Sequence, residues 1–156
     1  MKKKEAHKQS LGMVDTSRKP VTERTAAASA TVKFSSAAFK KFLAGGSPKG
    51  NVLETAKIAG IMAAKSTPQI IPMCHPLELN KVNVTFTIDR ARSAVTVLAS
   101  VTCLGRTGVE MEAMTAVSAA ALTIYDMMKW ADKTIVIDDI KLLAKSGGQS
   151  GTYFRK

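Results

Sequence analysis

The hydrophobic pattern of the chain changes period along its length, and each change marks a predicted element. Residues 82–88 alternate apolar and polar side chains, residues 95–103 do the same, and a polar turn at 89–93 separates them. Alternation with a period of two is typical of strands that bury one face. This segment therefore predicts a β-hairpin, which is the strongest strand signal in the sequence.

The second strong pattern is a long stretch that ends at Trp130. Residues 113–125 carry no charge, whereas acidic and basic side chains stand just outside both ends of this run. Thr107 is followed three residues later by Glu110, which is the spacing of a helix capping box. We therefore predict a helix over 108–130 with a buried middle and Thr107 as its N-cap.

Weaker patterns fill in the remaining elements. Residues 24–34 are small and β-branched, which favours a strand, and residues 135–143 form a last apolar strand. Asn51 with Glu54 three residues on is a helix-start signature. Three of the five prolines fall in residues 67–77, which excludes a regular helix there. The two shorter predicted helices cover residues 35–43 and 52–65.

The order of these elements is strand, helix, strand, strand, helix, strand. This is the split βαβ order of a ferredoxin-like α+β fold, in which helices pack on one face of an antiparallel sheet. A length of 156 residues fits a single domain. We expect residues 1–11 to form a disordered basic arm and residues 12–156 to form that domain.

The composition indicates where in the cell the protein is located. Two cysteines make no disulfide framework, no apolar run is long enough to span a membrane, and residues 9–30 lack the apolar core of a signal peptide. We therefore expect a cytoplasmic protein that does not interact with membranes.

The net charge of +11 divides unevenly, because residues 1–10 carry +3 and the last two residues carry +2, which leaves +6 on residues 11–154. This excess fits either a surface for a polyanion or a pocket for a highly charged phosphate compound. Against a nucleic-acid module, aromatic residues are only 5% of the chain, and the hairpin strands lack aromatic positions that could stack on bases.

One proline-bounded loop presents the only histidine outside the first ten residues. Pro72 and Pro76 restrict the backbone around His75, so its imidazole is held in place. A hydrogen-bonded structural role and a functional role both fit this setting. A metal site is disfavoured, since adjacent Cys74 and His75 with Cys103 do not give the ligand spacing of a zinc centre.

Two glycine-rich loops carry lysines that could bind phosphate. Residues 44–50 lead through Lys49 into a helix N-terminus, where backbone N–H groups and the helix dipole favour an anion. Residues 145–151 follow a strand, begin with Lys145, and contain glycines that allow a backbone nest. Ordinary turn chemistry explains each loop alone equally well.

The charged ends of the long helix are the third candidate. Asp126 and Lys129 are three residues apart and therefore neighbours on one face, as a surface ion pair or as an acid–base pair. Glu110 and Glu112 lie in the first turn. Glu112 and Asp126 are about 21 Å apart along the helix axis, so in one chain they cannot act on one reacting group. We expect an oligomer with sites at subunit interfaces.

Together these segments resemble the MoaC family of molybdenum cofactor biosynthesis. The resemblance extends over about residues 12–151. The motifs that carry it are KGNVLETAKIAGI at 49–61, IPMCHPL at 71–77, TGVEMEA at 107–113, ALTIYDM at 121–127 and LAKSGG at 143–148.

The resemblance implies an activity and an assembly. Members rearrange a cyclised GTP derivative, 3′,8-cyclo-7,8-dihydro-GTP, to cyclic pyranopterin monophosphate and release pyrophosphate, which makes the expected enzyme a phosphorus–oxygen lyase. The expected subunit is ferredoxin-like, and six subunits form a trimer of dimers with sites at their interfaces. No cofactor and no nucleic-acid partner are implied, although a divalent metal ion on the substrate phosphates is compatible with the chemistry.

The resemblance also assigns roles to individual residues. Asp126 is implied as the catalytic aspartate with Lys129 as its partner and Lys49 as the loop lysine, while His75 either donates to a phosphate or serves as a further acid. We expect Lys49 and Asp126 to come from different chains. Asn51, Arg106 and Gln149 depart from residues seen in other members. The implied substrate-binding residues are Met73, Cys74, His75, Glu110, Met111, Glu112 and Lys145.

Without the resemblance, the residues leave one further alternative open. An oligomeric ligand-binding protein without catalysis would keep the same pocket. Asp126 would then be dispensable.

Overall fold

The computed structural model describes residues 11–156. All of the predicted basic arm except its last residue lies outside these described residues, so the arm remains a prediction. The elements in chain order are β1 (Thr22–Lys33), α1 (Ser36–Leu43), α2 (Val52–Lys65), α3 (Thr67–Ile70), β2 (Lys81–Asp89), β3 (Ala94–Gly105), α4 (Glu110–Met128), β4 (Val136–Ser146) and β5 (Tyr153–Phe154).

The strands form one antiparallel sheet in the order β2-β3-β1-β4-β5. The first four strands in this order have the ferredoxin-like arrangement, so the predicted fold class is confirmed. β5 is an addition that the sequence pattern did not predict, because it contains only two residues.

Strand β4 is irregular along its pairing with β1. The register shifts by one residue between Ser29 and Thr31 and again between Ala27 and Ala28. Asp139 lies within the first shift and has a positive φ of 55°. Such one-residue bulges leave an extra residue on one strand and redirect the side chains that follow.

Helix α4 packs against both α2 and the sheet, which explains its uncharged middle. Ala113, Ala116, Ala120 and Ala121 are completely buried, and Ile124 beside them is too. Small side chains let α2 approach closely, since an apolar surface without bulk shortens the distance between helix axes.

The beginning of α4 differs from the prediction. Its N-cap is Val109, with no side-chain hydrogen bond to the first turn, so the predicted capping box from Thr107 to Glu110 is wrong. The carboxylate of Glu110 pairs instead with Lys145 of β4. A long-range ion pair has replaced the local cap that the spacing indicated.

Two other local predictions have opposite outcomes. The side chain of Asn51 accepts a hydrogen bond from the backbone N–H of Glu54 at 3.1 Å, so this helix cap is confirmed. Residues 67–77 were predicted to exclude a regular helix, yet Thr67–Ile70 forms one short turn with Pro68 at its start. Proline is tolerated there because the first N–H groups of a helix have no partner within it.

No helix within residues 11–156 is both long enough and apolar enough to cross a membrane.

The contact between α2 and α4 yields a test of the packing. A Cβ on Gly60 would lie 2.9 Å from the carbonyl oxygen of Ala116 and 3.2 Å from Val84 Cγ2. Alanine normally stabilises a helix interior by about 1 kcal/mol over glycine. We expect Gly60→Ala to do the reverse and lower the free energy of unfolding by about 1–3 kcal/mol, because overpacking forces the backbones apart.

Urea denaturation measures this change. Gly12→Ala is the control, because nothing lies within 4 Å of a Cβ at Gly12. Equal or greater stability of Gly60→Ala would show that the helices are not in close contact at this point.

Candidate active site

A cluster of three charged side chains forms at the C-terminal end of α4. Asp126 receives Lys49 Nζ on one carboxylate oxygen at 2.5 Å and Lys129 Nζ on the other at 2.6 Å. All three side chains are about half exposed. The predicted neighbours Asp126 and Lys129 are therefore paired. Lys49 and Asp126 make this contact within one chain. The expectation that they come from different chains is therefore wrong for this contact.

The loop before α2 holds Lys49 in this position. Ser47 Oγ donates to the carbonyl of Met127 at 2.9 Å, and the backbone N–H of Lys49 donates to Ser47 Oγ at 3.2 Å. Gly50, with φ of 106°, turns the chain into α2. The glycine loop thus serves to bring one lysine to the end of another helix.

The two lysines fix the charge state of the aspartate. Hydrogen bonds from Lys129 and then from Lys49 lower the pKa of Asp126 to about 2. The same hydrogen bond raises the pKa of Lys129 above its ordinary value. At neutral pH the cluster therefore holds an ionised carboxylate and a protonated Lys129.

A cavity of about 500 Å³ opens near the other end of α4, between β1, β4 and the segment that precedes the helix. Four cationic side chains and one carboxylate are among its lining residues, so it favours an anion. Gln149 also lines it. The charged residues are Lys19, Arg24, Arg106, Lys145 and Glu110.

Arg24 and the second glycine loop form one wall of this anion cavity. Arg24 is only 7% exposed, and its Nε donates to the carbonyl of Gly105 at 3.3 Å. A Cβ on Gly148 would lie 1.6 Å from a terminal guanidinium nitrogen of Arg24. The positive φ of 75° favours glycine here, and a Cβ would also displace the end of the Arg24 side chain. Lys145 Nζ lies 2.9 Å from Glu110 and 3.0 Å from Ser150 Oγ.

A smaller cavity of about 260 Å³ adjoins the first and shares Thr107, Gly108 and Glu110 with it. It contains every remaining residue that the resemblance assigned to substrate binding. These residues are Met73, Cys74, His75, Met111 and Glu112.

Burial sets the charge of the groups around the smaller cavity. Glu112 is 3% exposed, and desolvation raises the pKa of its carboxyl, to which the charge of Glu110 adds. Desolvation also raises the pKa of the Cys74 and Cys103 thiols. Both cysteines are therefore thiols at neutral pH and poor metal ligands. Across the described chain, no three His, Cys, Asp or Glu side chains group as metal ligands.

The predicted site residues thus divide into two clusters. One is the lysine–aspartate cluster of Lys49, Asp126 and Lys129, and the other is the pair of joined cavities. Glu112 and Asp126 lie near opposite ends of α4, about 21 Å apart along the axis. One chain therefore holds two separated clusters of candidate site residues.

Sequence reasoning missed Arg24 and Lys19. Arg24 could have been found, because it is a lone cation in a run of small residues that predicts a buried strand. Lys19 has no such signal, since it precedes β1 in a segment without a periodic pattern.

Comparison with known proteins gives a consistent result. A profile of the MoaC family matches residues 13–148. A cyclic pyranopterin monophosphate synthase of Chloroflexus aggregans is 54% identical over 144 residues, which cover 92% of this chain and 87% of that protein. The synthases of Geobacter sulfurreducens and Parvibaculum lavamentivorans are 54% and 51% identical, each over 92% of this chain and 90% of its own length.

The buried carboxyl of Glu112 predicts a pH-dependent stability change. Its pKa is raised in the folded state, so its contribution to stability is fully present below the unfolded value near 4.5 and is lost as the pH rises through the folded value. Glutamine keeps the shape without ionising. We expect Glu112→Gln to raise the melting temperature by a few degrees at pH 8, and the gain to shrink as the pH falls to 5.

Thermal unfolding between pH 5 and 8 measures this, with Glu78→Gln as the control because Glu78 is exposed. A constant difference across the pH range would mean that burial of the Glu112 charge is not its cause.

Proposed function

The chain belongs to the MoaC family, and we propose that its two separated clusters are halves of one active site. The chain makes cyclic pyranopterin monophosphate in molybdenum cofactor biosynthesis, from 3′,8-cyclo-7,8-dihydro-GTP with release of pyrophosphate. It is an enzyme with a small-molecule substrate. The finer assignments below are proposals.

The observation that carries the proposal is the lysine–aspartate cluster. Two ammonium groups contact the two oxygens of a single carboxylate, at the accessible end of a helix whose interior is rigidly packed. Ion pairs at this level of exposure contribute little to stability. An arrangement of two donors and one acceptor supports proton-transfer chemistry better than a purely structural role.

Asp126 acts as the proton acceptor and Lys129 as the proton donor in this scheme. Their pKa values are shifted in opposite directions, so at neutral pH each is in the state that its role requires. A substrate phosphate that draws a lysine away removes one cause of the low pKa of Asp126 and makes the carboxylate more basic. Substrate binding would thus activate the base used to open and reclose the purine-derived ring.

The anion cavity is the counterpart for phosphate chemistry. Closing the cyclic phosphate requires a ribose-derived oxygen to attack the α-phosphorus while pyrophosphate leaves with the bonding electron pair. Lys145 and Arg24, which line this cavity together with the second glycine loop, would stabilise that departing charge. His75 in the adjoining cavity donates to a phosphate or acts as a further acid, and Met73, Cys74, Met111 and Glu112 hold the ring system.

The separation of the clusters supports an assembly in which each site combines two chains. The exposed side chains on the outer faces of α2 and α4 include Ile58, Met62 and Leu122. Apolar groups on adjacent helix surfaces favour burial against another subunit. We propose a homohexamer, a trimer of dimers, in which one chain supplies the lysine–aspartate cluster and a neighbour supplies the cavities.

Three further assignments belong to the same proposal. The reaction class is that of a phosphorus–oxygen lyase, the location is the cytoplasm, and no resident cofactor is needed. A divalent ion carried by the substrate phosphates remains compatible with the chemistry.

The roles of Asp126 and Lys129 are tested by single substitutions. We expect Asp126→Asn and Lys129→Ala each to lower kcat by about 10²–10⁴-fold, the range typical of a lost general acid or base. Pyrophosphate release from purified protein supplied with 3′,8-cyclo-7,8-dihydro-GTP is the measurement. Melting temperature and oligomeric state should stay as in the parent protein, because the three side chains are half exposed.

Asp139→Asn and Lys141→Ala are matched controls. They remove the same groups from another exposed Lys–Asp pair, joined at 2.7 Å on β4, and asparagine tolerates the positive φ at that position. Both should retain activity. Full activity of Asp126→Asn would disprove the base assignment, and an inactive, correctly assembled parent protein would disprove the enzyme function itself.

Mixed oligomers test whether a site combines two chains. Asp126→Asn and Lys145→Gln subunits, each inactive alone, should regain about a quarter of parental activity after equal random mixing, because that share of sites receives both intact halves. Asp126→Asn mixed with Lys49→Ala should regain none, since both defects lie in the same cluster.

Native mass spectrometry confirms that the subunits have exchanged. No recovery in the first mixture after complete exchange would contradict a shared site and place the whole reaction within one chain.

A further inference from the structure

The segment before β1 contributes Lys19 and Pro20 to the wall of the anion cavity. We name residues 14–20 the N-terminal strap. Only Thr16 and Lys19 of the strap are half buried, and the rest are exposed. Two hydrogen bonds close turns within it, from the backbone N–H of Ser17 to Asp15 Oδ1 at 2.8 Å and from that of Lys19 to the carbonyl of Thr16 at 3.0 Å. Turns of this kind shape a segment but do not attach it to a domain.

One guanidinium attaches the strap to the sheet. Arg106 directly follows the last residue of β3, and a single terminal nitrogen of its side chain donates both to the carbonyl of Ser17, at 2.5 Å, and to that of Lys19, at 2.9 Å. Arginine suits this task because its planar fork offers several donors in fixed directions, which a lysine ammonium does not.

The attachment of the strap determines which cations line the anion cavity. Lys19 and Pro20 of the strap line the anion cavity together with Arg24, Arg106 and Lys145. Lys19 is therefore a wall residue only while the strap stays against the end of β3. A free strap would withdraw one of the four cations from the cavity.

We propose that Arg106 is a positioning residue that holds the N-terminal strap at the wall of the anion cavity and thereby places Lys19 against the substrate phosphates. The proposal rests on the proposed function only in naming the anion as the substrate's triphosphate. The contacts of Arg106 link it to phosphate binding through the backbone of another segment.

The first experiment measures the attachment itself. Hydrogen–deuterium exchange of the strap amides is compared between the parent protein and Arg106→Met, without any ligand. We expect the amide of Lys19 to exchange at least about tenfold faster in the variant, because the two hydrogen bonds that hold the strap are gone. Arg92→Met is the control, since it removes an exposed arginine at the opposite end of β3, where Arg92 pairs with Asp89.

The second experiment measures the consequence for anion binding by titration calorimetry, with inorganic tripolyphosphate as the probe. We expect Arg106→Met and Lys19→Met each to weaken binding about tenfold, the value of one lost charge-assisted contact. The double variant should bind no more weakly than Arg106→Met alone, because Lys19 is already displaced in that variant. Arg106→Lys should restore only part of the affinity.

These outcomes separate the possible explanations. Unchanged exchange of the strap in Arg106→Met overturns the proposal, and so do additive losses in the double variant, which would mean that Arg106 binds the anion directly. Failure of the parent protein to bind tripolyphosphate would disprove the proposed role of Lys19 in anion binding. None of these readouts requires turnover, so loss of the proposed function would be recognised separately, by the absence of pyrophosphate release.

Discussion

Close packing of α4 against α2 and against the sheet is the constraint on which the molecule depends. Alanines and Gly60 at this contact leave no space for larger side chains, so α4 is held as a rigid rod. Because α4 carries functional groups at both ends, its length of 19 residues sets the distance between the two clusters. A helix gains about 1.5 Å per residue, and no rearrangement of side chains can close such a gap. The proposal that a site combines two subunits rests on this fixed separation of the two clusters.

The charged groups at the two ends of α4 lie in different environments. Around Asp126 the charges are exposed and paired, so the carboxylate and Lys129 are both charged at neutral pH. Around the cavities, burial raises the pKa of the Glu112 carboxyl and of the Cys74 thiol, and Arg24, which lines the larger cavity, is itself buried. The same chain thus has a solvated cluster of paired charges at one end of α4 and a partly desolvated cavity lined by cations near the other.

Sequence reasoning predicted most of the fold, because its main signals were periodic. The hairpin of β2 and β3 and the uncharged middle of α4 have patterns that only one arrangement satisfies. Prediction failed where a long-range contact competed with a local one, as when Glu110 paired with Lys145 instead of capping its own helix. The pairing of Lys49 with Asp126 within one chain was missed because the loop before α2 folds back onto the end of α4. Spacing along the chain reports neighbours within an element, whereas the partner of an ion pair depends on how distant loops fold back.

The two register shifts in β4 have a consequence for which lengths of this strand are compatible with activity. Each shift adds one residue to β4, and one addition alone would exchange the inward and outward positions of everything after it. The second addition cancels the first, so Lys145 emerges on the helix side and reaches Glu110. The side of the sheet on which Lys145 lies therefore depends on whether the number of extra residues between Asp139 and Lys145 is even or odd. Paired insertions or deletions preserve the cavity, while a single one turns its lysine to the opposite side of the sheet.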